Sequence, residues 1–99
     1  MEKVDRKFQI AARCIEHGHL HTEADSVLFL VKDKAFLAAL RAYRLECESI
    51  GAAALQLAGV DRLIERVDRW QAEHAAVLKV PDIDAGFESI AGPNEPREP

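Results

Sequence analysis

The chain has 99 residues, of which 48 % are apolar, a size that fits one small domain and a composition that excludes wholesale disorder. Its formal net charge of −4 argues against non-specific nucleic-acid binding. No apolar run approaches the roughly 18 residues of a membrane span. The longest, Ala35 to Leu40, is short.

Charge and proline divide the chain at one place. Pro81, Pro93, Pro96 and Pro99 are its only prolines, and residues 1–80 balance their Lys and Arg against their Asp and Glu. The net negative charge therefore lies beyond residue 80. This predicts a helical bundle domain over 1–80 and an acidic tail over 81–99. The mixed charges of Met1 to Lys7 predict no secretory signal. Two cysteines, Cys14 and Cys47, do not make a disulfide framework, so a reducing cytoplasm is expected.

In chain order, Val4, Phe8, Ala11, Ala12 and Ile15 recur at spacings of three and four, which predicts a first helix over 4–17 with Gly18 closing it. Thr22-Glu23-Ala24-Asp25 has the form of an approximate capping box and predicts the start of a second helix. From Val27 to Cys47 two apolar stripes, one through Leu28, Val31 and Ala35 and one through Phe36, Leu40, Tyr43 and Cys47, predict a central helix buried on two sides. A break at Lys32-Asp33-Lys34 with Asp33 as a new cap, or a short strand over 27–31, are the alternatives. Gly51 predicts the end of that helix or a bend.

Beyond it, Ile50, Ala53, Leu57, Val60, Ile64, Val67, Gln71, His74 and Leu78 follow a heptad-like seam broken by two polar residues, and Trp70 widens it. Leu57, Val60, Ile64, Val67, Trp70 and His74 are the expected core or dimer seam. Gly59 predicts a break or kink near 59–61, because glycine inside a helix costs about 1 kcal/mol. Past Pro81, Ile83, Phe87 and Ile90 share one helical face, while Asp82, Asp84 and Glu88 carry the charge. This segment reads as an amphipathic hook for another protein, or as a cover for the chain's own core.

Few residues point to chemistry. Cys14, His17, His19 and His21 are the candidate metal ligands, although their spacing matches no full zinc pattern and a polar turn after a helix accounts for them more simply. Arg13 with His19 gives a faint ribonuclease-like pairing. Arg62, Arg66 and Arg69 form a basic stripe, with Arg41 and Arg44 a smaller patch, but acids interleave the stripe in the manner of an ion-paired helix face. No activated nucleophile or catalytic carboxylate pair is visible, so no catalytic residue and no cofactor is expected.

The sequence therefore predicts an all-α bundle of three to five helices with an acidic, Pro-containing C-terminal tail. The expected role is a cytoplasmic, non-enzymatic regulator or inhibitor, of the accessory kind that mobile elements carry. It would bind another protein or itself, as a homodimer, through helix faces and the hook. A metal-binding module and a nucleic-acid binder or small ribonuclease are the alternatives.

Overall fold

The computed structural model of the chain describes residues 2–80, which fall into two compact units, 2–29 and 30–80. The expected all-α bundle of three to five helices is not what forms. The described residues build two α-helices and one two-stranded antiparallel sheet. The hook residues Asp82, Ile83, Asp84, Phe87, Glu88 and Ile90, and the boundary at Pro81, lie outside the described residues.

The first unit replaces the predicted helix over 4–17 with a hairpin. Strand β1, Ala11–Arg13, pairs with β2, Leu20–Thr22, in the register Ala11 to Thr22, Ala12 to His21 and Arg13 to Leu20. Helical periodicity loses here because the backbone donors a helix needs are taken by acceptors elsewhere. Asp5, 1 % exposed, accepts the amides of Lys7 and Phe8 on Oδ1 at 2.9 and 2.8 Å, and that of Leu28 on Oδ2 at 2.8 Å. The amides of Val4 and Asp5 donate to the Glu23 carbonyl, and the Glu23 carboxylate accepts the amide of Ile10 at 2.7 Å.

Gly18 does adopt a left-handed conformation, φ +77°, but in the hairpin loop. There its amide donates to the Cys14 carbonyl, a single helical turn that goes no further. The capping motif at Thr22 forms in the same truncated way. Asp25 Oδ1 accepts the Thr22 amide and Thr22 Oγ1 accepts the Ala24 amide, yet only a turn follows. Thr22 is already committed to β2, and the Leu28 amide is committed to Asp5.

The second unit is a helical hairpin of α1, Phe36–Ser49, and α2, Ala54–Glu73. The predicted helix over 27–47 begins late because Asp33 stops it. Its Oδ1 accepts the Ala35 amide and its carbonyl accepts the Phe36 amide in a turn, but Asp33 is not the expected N-cap: α1 starts from Ala35 without a side-chain cap, and residues 26–30 before the turn are not helical. Residues 27–30 form no strand. Helix α1 closes on Gly51 at φ +88°, where the Ala52 amide donates to Cys47 and the Gly51 amide to Glu48, the paired bonds of a Schellman motif. Helix α2 then runs unbroken through Gly59, contrary to the predicted break. Twenty residues of helix absorb the cost of one glycine. Its start is held by Gln56 Oε1, which accepts the Ala53 amide. A short 3₁₀ turn, Ala75–Val77, follows.

Nor is α1 buried on two sides. Only Leu40 and Val67 are buried apolar residues among those described, whereas Asp5, Asp33 and Gln71 are buried polar ones. Gln71, one of the polar interruptions of the seam, donates through Nε2 to the carbonyls of Val31 and Asp33 at 2.9 and 3.0 Å. Lys79 completes this end of the hairpin, its amide donating to Lys32 and its carbonyl accepting from Lys34. Along the hairpin, Arg44 Nε and Nη2 clamp the Asp61 carboxylate at 2.9 and 3.3 Å, and Nη1 reaches Glu48 at 3.0 Å.

Two outcomes follow. Gln71→Ala leaves two carbonyls without their donor and lowers the stability of the helical unit by about 1–3 kcal/mol, read from urea denaturation followed by helical circular dichroism. The Asp5 carboxyl is held below the ordinary carboxylate range, first by the Leu28 amide and then by Phe8, against the opposing effect of burial. A depressed folded value means that its stabilisation is complete above the unfolded value, near 3.8, and is lost as pH falls through the lower folded value. Hydrogen exchange at the Leu28 amide should therefore accelerate only in strong acid, and Asp5→Asn should abolish that acid-dependent step.

Candidate functional site

Helix periodicity leaves one face of the second unit open. Tyr43, Cys47 and Ile50 project from α1 at spacings of four and three, and Gln56, Gly59, Val60, Leu63 and Arg66 project from α2 toward the same space. With Ala52 at the turn they line a groove of about 580 Å³. Gly59 has no side chain to fill it, and a Cβ built there would meet only Arg62 Nη2 at 4.0 Å. Arg44 and Asp61 each follow a groove residue by one position, about 100° round their helices, so their clamp fixes the hairpin without closing the groove.

The groove is apolar with a polar margin. Tyr43, Ile50 and Leu63 are 58 %, 73 % and 37 % exposed, a large apolar surface for so small a unit. A side-chain hydrogen bond with Cys47 pushes the Tyr43 phenol above its ordinary value. Arg66 supplies a cation and Gln56 an amide. Among the described residues that line the groove there is no paired acid and base, and its composition suits the burial of apolar side chains.

The expected seam residues take their places along α2: Val67 is buried, Leu57, Val60, Ile64 and Trp70 are half-buried, and His74 is exposed at the helix end. His74 stacks on Trp70 with ring centroids 4.0 Å apart, and its Nδ1 lies 2.8 Å from the Trp70 carbonyl. The sequence already carried Tyr43 and Cys47 as an apolar stripe. Gly59 carried a signal too, read as a break where it opens the groove. Arg66 was visible only as part of the basic stripe, and Gln56 gave no signal, because its place at the groove depends on where α1 ends.

The candidate metal ligands occupy the hairpin of the first unit. His17 and His19 stack at 5.8 Å, and His17 Nε2 lies 3.5 Å from Glu16 Oε1. His21 Nδ1 lies 2.9 Å from Asp25 Oδ2, and this contact is the first cause of the lowered Asp25 carboxyl. Among the described residues no group of three or more His, Cys, Asp or Glu is arranged to hold a metal ion. Arg13 is engaged within the same loop, its Nη1 donating to the Gly18 carbonyl at 2.9 Å. Of the basic stripe, Arg66 reaches the groove. A second, polar hollow of about 370 Å³ lies in the first unit beside Lys3, Arg6 and Lys7, but the Asp5 and Glu23 carboxylates on its wall are already occupied by backbone amides.

Cys14 has a distinct environment. The His17 amide points at its Sγ at 3.5 Å and is the first cause of a thiol value below the ordinary one. Since the thiolate is the reactive form, a Cys47→Ser variant should be alkylated at Cys14 by iodoacetamide at pH values where an ordinary thiol is still inert. Peptide mapping across a pH series checks this.

No described helix is long and apolar enough to cross a membrane. Comparison with protein-family models, with curated proteins and with solved structures found no match.

Proposed function

We propose that this chain is a small non-enzymatic interaction protein, a regulator or inhibitor that works by docking the open face of its helical hairpin onto another polypeptide. The observation that carries this reading is the groove itself. Tyr43, Ile50 and Leu63 lie exposed along it, while only Leu40 and Val67 are buried as apolar core. Apolar surface of this kind, rimmed by polar residues, is characteristic of sites that bind a partner. The acidic segment 81–99 enters as a second contact, on the strength of its sequence alone.

The test is a stoichiometric complex. Full-length protein, cross-linked and purified from its native host, is expected to form a stable complex with itself or with another protein, and Leu63→Asp should abolish it while leaving helical circular dichroism intact. If the wild-type chain forms no complex of either kind, or if complexes persist unchanged in a folded Leu63→Asp variant, the reading is wrong.

A further inference from the structure

We infer that the groove takes an amphipathic helix of another protein, one that carries Asp or Glu along the flank beside α2. The inference rests on the interaction reading above and specifies the partner's chemistry. Its warrant is that the charge of the groove has one sign and one side. Among the described residues that line it, Arg66 is the sole charged one, and it stands on the α2 side. Arg62 reaches the same edge, where its Nη2 lies 4.0 Å from a Cβ built on Gly59. The α1 side offers Tyr43, Cys47 and Ile50 and no formal charge.

Acids interleave these arginines along the chain, yet the expected ion pairs do not close. Arg62 and Arg66 are exposed, and among the described residues neither makes an ion pair or a side-chain hydrogen bond. Asp61, next to Arg62 in the chain, is held by Arg44 instead. Glu65 precedes Arg66 by one position, about 100° round the helix, and does not line the groove. One turn either way from Arg66 stand Arg62, Leu63, Arg69 and Trp70, so its neighbours are cationic or apolar. Like charges at this spacing repel, and α2 carries that repulsion until an acid approaches from outside the helix.

Backbone chemistry decides the shape of the occupant. Both walls are helices, and between their ends the amides and carbonyls are bonded within α1 and α2. They leave nothing for an extended peptide to pair with. An occupant buried here must satisfy its own backbone, as a helix does. From Gln56 to Arg66 the α2 wall rises about 15 Å, roughly ten residues of a docked helix. That length takes anchors at i, i+3 or i+4, and i+7, and Gly59 leaves the space for one of them.

Two synthetic peptides of about 15 residues, long enough to be helical on docking, test this by fluorescence anisotropy against the full-length chain. They share one leucine face and differ in one flank, Glu in the first and Lys in the second. The Glu peptide is expected to bind roughly tenfold more tightly at low salt, with a margin that shrinks as salt screens the arginines. The double variant Arg62→Glu, Arg66→Glu should reverse the order. Leu63→Asp and Gly59→Leu should each weaken the Glu peptide by roughly tenfold or more. Gly59→Leu also controls for folding, because leucine favours a helix more than glycine does and its circular dichroism should show helix retained or gained. Equal affinity for the two peptides, or no binding of either, overturns the inference. The interaction reading is then decided separately, by whether complexes from the native host depend on Leu63. Binding that appears only in full-length Phe87→Asp assigns the groove to the chain's own acidic segment and overturns the inference. So does an apparent affinity that falls as the protein itself is concentrated, which assigns the face to a second copy. If a short RNA displaces the Glu peptide and still binds folded Leu63→Asp, the arginine edge serves nucleic acid and the inference fails.

Discussion

The fold depends on a shortage. With only Leu40 and Val67 buried as apolar residues among those described, hydrophobic burial is too limited to specify where each segment lies. Position is set instead by the requirement that buried backbone donors and acceptors find partners. Gln71 meets that requirement in the second unit, tying the carbonyls of Val31 and Asp33 to α2. Asp5 meets it in the first, gathering the amides of Lys7, Phe8 and Leu28 onto one carboxylate. These contacts are directional, so each fixes a geometry that apolar packing alone would leave loose.

The same shortage explains the groove. Side chains that a larger core would enclose remain on the open face of α1 and α2, and Gly59 deepens the gap between them. In the proposed interaction role the cost of those exposed side chains is offset only when the face is covered. Stability and association then become one property, as in obligate dimers whose folding depends on protomer concentration. The Schellman turn at Gly51 and the Arg44–Asp61 clamp hold the two helices beside the groove, which lowers the ordering that binding would require.

What was legible in the sequence was what depends on neighbours in the chain. Gly51 ends α1 because a left-handed residue was needed there, and the three-and-four spacing from Leu57 to Trp70 falls within one helix, α2, in which Val67 is buried. The first thirty residues were misread because their structure is decided at long range. Val4, Phe8, Ala11 and Ala12 have sound helical spacing, but Asp5 and Glu23 capture the amides that the helix required. The box at Thr22 and Asp25 formed as its residues suggested and then stopped after one turn. Gly59 misled in the opposite direction, since a single unfavourable residue does not break a long helix held by its flanks. Gln71 looked like a flaw in an apolar seam and is instead the donor that anchors α1. The groove inherits this division: Tyr43 and Cys47 were visible as an apolar stripe and Arg66 as part of a basic one, but nothing local to either segment brought them to one groove.

The tie from Gln71 to Val31 joins residues 40 apart in the chain. The Gly51 turn, the Asp25 box and the Asp33 turn close over a few residues each and can form within their own segments, whereas this bond must wait until both helices exist and have met. Loop closure over that distance carries an entropic cost that the local turns do not. Folding of the hairpin should accordingly run from the turn outward, with the Gln71 amide engaging last. Its engagement works as a latch: before it, α1 has helical shape without a fixed beginning; after it, the start of α1 and the end of α2 move as one.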